Sequence, residues 1–420
     1  MEDLSVIYNI KFSVDYAKTF LKWLVLAVIV GVTGGVVGSL FHICVDYATE
    51  YRNENVWLIY LLPLGGLIIT AIYRVFKNKG KLDTNRVLEA ATEEEKVPLV
   101  MAPLIFVSTV ITHLLGGSAG REGAALQLGG SIGYNIGSLF RLNKNDTHTL
   151  IMSGMSAVFS ALFGTPVTAA IFAIEVLRVG VMHYAALVPC VISAATAFYV
   201  ADIFGIAPVR FECTPINITG IDIATKIIII AIMCALVSIL FCLTIKACEH
   251  YSERFIKNNY LRTFVGAEII VLLTVILKTT DYNGAGMDII SSAIAGNAVP
   301  FAFLLKILFT AITITAGFRG GEIVPSFFIG STFGCFIGGI LGVDSGFTAA
   351  VGFVAVFCGV VNCPVASLIL ALEVFGSDNI LIFALVSAIS YMMSGYFGLY
   401  KSQKILYSKL CDEKIDISTK

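Results

Sequence analysis

The sequence predicts an all-α polytopic membrane protein assembled from two related halves, on three observations. Of 420 residues, 57% are apolar or aromatic, 14% are charged, and the mean hydropathy is +0.88. A soluble domain carries about 25% charge, so this chain lacks the polar coat that a water-soluble globule of its size needs. Second, eleven stretches of seventeen or more residues contain no Asp, Glu, Lys or Arg, and roughly 20 apolar residues suffice to cross about 30 Å of hydrocarbon as a helix. Third, two blocks of sequence about 200 residues apart repeat one another.

Twenty-eight basic residues against twenty-nine acidic ones leave a net charge of -1. No basic excess exists to neutralise phosphates, which excludes nucleic acid as a partner. The ten cysteines form no C-x-x-C pair and mostly sit in apolar runs, so they read as buried free thiols rather than disulfides or zinc ligands. His42, His113, His148, His183 and His250 do not cluster, and neither a metal site nor a cofactor is expected.

The uncharged stretches run 23–45, 57–73, 97–120, 123–140, 149–174, 179–201, 227–245, 289–305, 323–343, 345–372 and 379–400. They are continuous rather than alternating, which excludes a β-barrel. Several are separated by one charged residue or a glycine cluster instead of a loop, which suits short, tilted or broken helices meeting inside the membrane. Broken backbone at that depth is tolerated where protein or a water-filled cavity covers it. Residues 1–22, with Lys11, Lys18 and Lys22, read as an interfacial helix without a secretory pattern. The stretch from Asp46 to Glu54 holds three acids and one Arg, whereas Arg74, Lys77, Lys79, Lys81 and Arg86 follow the second span. The positive-inside bias then puts the N-terminus and the 74–96 segment in the cytoplasm, with Glu93, Glu94 and Glu95 as a solvated face. The expected organisation is therefore a first membrane repeat over 23–205, a polar linker over 206–224, a second repeat over 225–402 and a short tail over 403–420.

The repeat is detailed. Residues 153–176 (SGMSAVFSALFGTPVTAAIFAIEV) and 351–374 (VGFVAVFCGVVNCPVASLILALEV) align Gly154 with Gly352, Phe159 with Phe357, Pro166 with Pro364 and Glu175 with Glu373. Upstream, GGSAGREGAALQLGGS at 116–131 and AGFRGGEIVPSFFIGS at 316–331 align Gly117, Gly120, Glu122, Gly130 and Ser131 with Gly317, Gly320, Glu322, Gly330 and Ser331. Internal symmetry of this kind marks transporters built from two repeats. Each glycine-rich break precedes a helix-like segment, 124–140 or 325–341. A helix N-terminus offers unpaired N–H groups and the positive end of the dipole, and two aimed at one midplane point make a site for a dehydrated anion without a full positive charge. The alternative, close helix packing by small residues, is the reading for Gly129, Gly130, Gly133 and Gly137; the charges beside 116–123 and 317–321 favour an ion site there.

Ionisable residues at membrane depth default to function. Glu122 stands at the mouth of the first helix N-terminus, where a charged carboxylate occupies the anion position and a protonated one leaves it. Like-charge exclusion then couples proton to anion. Glu322 holds the equivalent place in the second half and is a candidate to take or relay the proton. Arg121 and Arg319 read as steering groups at a mouth of the pathway, and Glu175 and Glu373, which end apolar segments, as structural.

With G-R-E-G at 120–123 and G-G-E-I-V-P at 320–325, and on through HTL at 148–150, TPVTAAIFAIE at 165–175, AGNAVP at 295–300 and GLY at 398–400, the chain resembles the CLC family of anion channels and anion/proton antiporters. The resemblance runs from about residue 20 to near the C-terminus. It implies a homodimer in the lipid bilayer of the cell membrane, each subunit with its own pathway and two inverted halves of tilted, incomplete helices. It makes Glu122 the gating glutamate and places Tyr400 on the tyrosine that caps the inner side of the central anion site. The anion-binding set it implies is Thr84, Asn85, Gly120, Arg121, Gly123, Gly321, Ile323, Val324 and Tyr400.

The departures narrow the expectation. The usual G-S-G-I-P loop appears as Asp83-Thr84-Asn85-Arg86-Val87, G-R-E-G-P ends in Ala124, and Glu322 stands where the second filter usually carries an apolar residue. The inner proton-accepting glutamate falls on Val176. Loss of that glutamate with gain of one in the second filter is similar to the fluoride/proton antiporter branch, whose loop is also altered around an asparagine. That resemblance implies a secondary active transporter, not an enzyme, exporting fluoride against protons. Fluoride is a small, strongly hydrated hydrogen-bond acceptor, and protonated Glu122 or Glu322, Thr84, Asn85, Tyr400 and backbone N–H groups offer donors. The alternative within the family is a chloride/proton antiporter or chloride channel. An intramembrane enzyme with Glu122 and Glu322 as an acid/base pair lacks any nucleophile, metal cluster or cofactor loop.

Overall fold

The computed structural model describes residues 2–76, 82–93, 95–213 and 221–420, with side chains from residue 15 onward. Of the charges invoked above, the Lys11 side chain, Lys77, Lys79, Lys81 and Glu94 lie outside the described residues. Among the described residues, sixteen α-helices and three short strands make an essentially all-α membrane fold. The helix α1 (Glu2–Glu54) is continuous from the expected interfacial segment through the first span. At 1.5 Å per residue its 53 residues reach about 80 Å, far beyond the hydrocarbon. Then follow α2 (Leu62–Val75), α3 (Thr84–Ala90), α4 (Met101–Leu114), α5 (Glu122–Leu139), α6 (Lys144–Phe163), α7 (Pro166–Glu175), α8 (Leu187–Ile203), α9 (Ile221–Phe255) and α10 (Asn259–Leu277). The chain continues through α11 (Met287–Ile294), α12 (Ala302–Ala316), α13 (Ile323–Leu341), α14 (Ser345–Val361), α15 (Pro364–Phe375) and α16 (Ile380–Met393).

Six helical segments among the described residues are long and apolar enough to cross a membrane; six more apolar helices have only 10–17 residues. This is the broken-helix pattern, and the breaks have local causes. The run 149–174 is cut where Gly164 takes φ 67° to end α6 and Pro166 opens α7. The run 345–372 is cut likewise by Asn362 at φ 57° and Pro364. A left-handed residue closes one helix, and a proline at the first position of the next gives up an N–H that has no partner there. The run 289–305 divides between α11 and α12.

Two expectations need correction. α10 is a membrane-length helix that the list of uncharged stretches omits, because Glu268 interrupts its apolar sequence. Residues 221–224, assigned to the linker, are already the first turn of α9. The tail is also more than an appendage: β2 (Lys404–Tyr407) pairs parallel with β1 (Arg178–Val179) and antiparallel with β3 (Lys414–Ser418).

The sequence repeat has a matching structural one. A Cβ on Gly129 of α5 would fall 2.1 Å from the Gly154 carbonyl oxygen of α6, and one on Gly330 of α13 would fall 2.2 Å from that of Gly352 in α14. These helix pairs touch backbone to backbone, so the packing reading of the glycines within α5 holds. The halves also finish each other's helices. The Glu373 carboxylate accepts from Val167 N (3.0 Å) and Thr168 N (2.8 Å) at the start of α7, and Glu175 accepts from Val365 N (3.1 Å) and Ala366 N (2.8 Å) at the start of α15. Each satisfies donors that a helix N-terminus leaves open, which is the structural part expected of these two acids. Phe327 of α13 stacks on Phe353 (centroids 4.0 Å) and meets Phe163 of α6 edge-on at 6.0 Å, joining the halves in one core.

Candidate functional site

The two glycine-rich breaks cross at the centre. Gly120 N donates to Gly321 O and Gly321 N to Gly120 O, each at 2.7 Å, an isolated antiparallel bridge. A Cβ at Gly321 would lie 2.3 Å from Gly123 N, and one at Gly320 would lie 2.5 Å from the Ala119 Cβ. The crossing is what these positions need glycine for, and it brings the starts of α5 and α13 together. Neither helix is capped by the side chain of its own cap residue, so their first N–H groups stay available at the positive ends of the dipoles.

Glu122, first residue of α5, is wholly buried. Its Oε2 accepts from Arg121 N (3.0 Å) and from Val324 N (3.3 Å) in the first turn of α13. Its Oε1 has no hydrogen-bond partner. The carboxylate thus spans both helix starts. Glu322 is the cap residue of α13 and half-buried; a Cβ on Gly123 would come 3.6 Å from its Oε2. Ile323 follows as the first residue of α13.

The other expected residues arrive from distant sequence. Thr84 opens α3 beside the first turn of α5: its Oγ1 lies 3.5 Å from Gly123 O and accepts from Gln127 Nε2 at 3.0 Å. Asn85 turns to the C-terminal segment, its Oδ1 accepting from Ser402 N and Ser402 Oγ, both at 3.1 Å. Asn85 therefore braces the chain two residues beyond Tyr400. The Tyr400 hydroxyl is buried without a partner, and its carbonyl accepts from Thr419 Oγ1 (2.6 Å) and Gln403 N (3.0 Å). Val176 is buried, and its carbonyl accepts from Gln403 Nε2 at 2.8 Å.

Arg121 and Arg319 go separate ways. Arg121 pairs with Asp46 of α1, and its Nε is 4.0 Å from Glu122 Oε1. Both Arg121 and Glu122 line a cleft of about 370 Å³ that also receives Arg52, His113, Asn283 and Asp288. Arg319 lies over the Tyr73 ring (4.0 Å) in a different cleft.

Two buried groups escaped the sequence reading. His113, near the end of α4, is 1% exposed with both ring nitrogens unpartnered, in the cleft that reaches Glu122. Lys306 of α12 is fully buried, its Nζ donating to Gly284 O (2.7 Å) and Tyr282 O (3.2 Å) beneath the Phe328 ring. An ionisable group inside an apolar helix was the available signal. The histidines were weighed only as metal ligands, and Lys306 was treated as the end of a stretch.

With this geometry the comparisons agree. The sequence model of the family described as voltage gated chloride channel matches residues 65–395, and the chain belongs to that family. The chloride/fluoride channel protein of Pseudomonas syringae pv. tomato is 33% identical over 405 residues, covering 94% of this chain and 89% of that one. The crystal structure of a CLC-type fluoride/proton antiporter superposes with a TM-score of 0.88 at 32% identity, covering 91% of this chain and 98% of that one. A slow cyanobacterial Cl-/H+ antiporter shares the fold at a TM-score of 0.76 and 18% identity, covering 89% and 94%. The protein is thus a multi-pass membrane protein of the anion-transporting CLC family.

Proposed function

We propose that the protein exports fluoride in exchange for protons, as a homodimer of two-repeat subunits with the N-terminus in the cytoplasm. The repeats span 23–205 and 225–402 apart from the α9 turn noted above. The observation that carries the reading is the Glu122 carboxylate seated on N–H groups of both helix starts, with a second acid, Glu322, at the cap position of the other helix. The likeness to a CLC-type fluoride/proton antiporter supports it.

In this reading the charged Glu122 carboxylate occupies the anion position itself. Protonation removes the charge that the two helix dipoles hold, and the side chain leaves. An anion then takes the N–H groups of Arg121 and Val324, with the Tyr400 hydroxyl as a further donor. One position does not hold two negative charges, so anion and deprotonated glutamate alternate. Backbone dipoles bind without the full charge of a lysine, which keeps release possible. Glu322 takes the proton inward from Glu122, in place of the acid absent at Val176. The test is efflux from proteoliposomes followed with fluoride, chloride and pH electrodes. Fluoride leaving with opposed proton movement, well ahead of chloride, is the expected result; chloride leaving as fast as fluoride overturns the selectivity. Glu122→Gln keeps an acceptor for both N–H groups but not the titration. It is expected to abolish proton movement, and intact coupling in that variant removes Glu122 from the mechanism.

A further inference from the structure

We infer that a second, non-transporting anion site lies between the end of α2, the α9–α10 connection and the segment before α13, and that it binds a phosphate group, as on an anionic lipid. A cleft of about 590 Å³ opens there. Arg74, Lys257, Arg262 and Arg319 line it, and among the described residues no acid does. Four positive groups around one cleft repel one another unless an anion joins them. The one ion pair shown for these four among the described residues joins Glu253 to Arg262 Nη1, at 3.5 Å. Two guanidinium atoms of lining residues, Arg262 Nε and Arg319 Nε, are buried without a hydrogen-bond partner among the described residues. Buried donors are paired in folded proteins almost without exception, so two such groups on the residues of one basic cleft suit an acceptor that draws them in.

The guanidinium geometry narrows the ligand. Arg319 lies over the Tyr73 ring, its Cζ 4.0 Å from the ring centre, and Arg74 over the Tyr260 ring at 5.4 Å. A guanidinium held by cation–π attraction keeps N–H donors, which meet phosphate oxygens in pairs. A single halide uses neither a fork nor a cleft of this size. Glu122, Glu322 and Tyr400 take no part in the lining, so the cleft is separate from the proposed transport site. Ile69, Leu82 and Ala316 form an apolar wall beside the cations, which suits the glycerol end of a phospholipid. Basic pockets between membrane helices bind anionic headgroups in this way. Arg319 N also donates to Thr112 Oγ1 at 3.3 Å, two residues before the Gly321 bridge, so an occupant would brace one arm of the crossing.

Native mass spectrometry of the detergent-solubilised full chain tests this, with titration of phosphatidylglycerol in one arm and inorganic phosphate in the other. The wild type is expected to retain the phospholipid. Lys257→Gln, at an exposed position, should weaken it roughly fivefold, and the Arg74→Gln, Arg262→Gln, Arg319→Gln combination on the order of a hundredfold. Saturation by inorganic phosphate, with no preference for the lipid and the same losses in the variants, assigns the site to the free ion. Equal retention of both ligands by the wild type, Lys257→Gln and the triple variant overturns the inference. Should the triple variant not fold, Lys257→Gln and Arg74→Gln, both exposed, decide the matter.

Discussion

The crossing of the two breaks predicts a severe effect from the smallest possible side chain. In Gly321→Ala the new Cβ would sit 2.3 Å from Gly123 N and 3.0 Å from Gly123 Cα, about 1 Å inside ordinary contact with the first atom. Both atoms are backbone, so no rotamer change relieves the clash. The strands must part, which stretches the two 2.7 Å bonds between Gly120 and Gly321. Losing those bonds costs about 1 kcal/mol each, and overpacking adds about 1–3 kcal/mol, for roughly 3–5 kcal/mol in total. The same movement carries Val324 N away from Glu122 Oε2, so transport should fall further than stability requires. The control lies in the helix that follows: a Cβ on Gly339 of α13 meets nothing closer than Ser345 Oγ at 3.5 Å, and Gly339→Ala should be neutral. Thermal unfolding in detergent and fluoride efflux from proteoliposomes measure the two effects. Gly321→Ala that melts and transports like Gly339→Ala would refute the steric account of the crossing.

Further outcomes follow from other contacts. Glu322→Gln should leave fluoride binding near wild type while slowing proton-coupled turnover at least tenfold, read by isothermal titration beside efflux; wild-type turnover would reduce Glu322 to a helix cap. Glu175→Ala leaves Val365 N and Ala366 N without their acceptor and should cost about 2–4 kcal/mol. Glu175→Gln, which keeps an acceptor, should cost less, and an equal drop in melting temperature for both counts against the capping role. Lys409, in the tail, donates to Tyr391 O (2.8 Å) and Ser394 Oγ (3.0 Å), and burial pushes its pKa down from 10.5 to about 8. The detached tail therefore binds a proton that the docked tail gives up between pH 8 and 10.5, so docking should tighten as pH rises through that window. Hydrogen exchange at β2 and β3 should slow accordingly, Lys409→Met should lose the pH dependence, and protection that weakens with rising pH contradicts the assignment.

The composition and the uncharged runs carried the fold class, because burial in lipid writes itself into long stretches of sequence. The paired prolines and glutamates carried the duplication for the same reason that Pro166 and Pro364 start equivalent helices. Glu122 and Glu322 were legible because a carboxylate within an apolar run has few structural uses. What escaped depended on partners far along the chain. Nothing near Asn85 says that its carbonyl meets Ser402, and nothing near Thr419 says that it holds the Tyr400 carbonyl. α10 escaped because Glu268 broke an otherwise apolar window. The orphaned atoms around Arg262 and Arg319 exist only once α2, α10 and the segment before α13 are folded together.

The two halves exchange matched contacts at the crossing and at the α7 and α15 helix starts, but not at the proposed anion position. The Gly120–Gly321 bridge is reciprocal, bond for bond. The Glu175 and Glu373 caps are reciprocal too, each carboxylate taking two N–H groups from the other half at 2.8–3.1 Å. Such exchanges are what an approximate two-fold relation between the repeats would produce. By that relation Glu322 should reach onto α5 as Glu122 reaches onto Val324, yet no such bond forms among the described residues. The difference accompanies where each acid stands: Glu122 is the first residue of α5, whereas Glu322 is the cap before Ile323 opens α13. One acid is buried across both dipoles and the other stays half-exposed beside them. One carboxylate already holds N–H groups at both helix starts and the other holds none on α5, so the two positions offer a proton different partners. The asymmetry predicts that Glu122 and Glu322 do not substitute for each other. The Glu122→Gln variant should lose coupling even with Glu322 intact, and the Glu122→Gln, Glu322→Gln double variant should carry no protons beyond the background of empty liposomes. Residual coupling through Glu322 in the single variant would mean that the two positions are interchangeable after all.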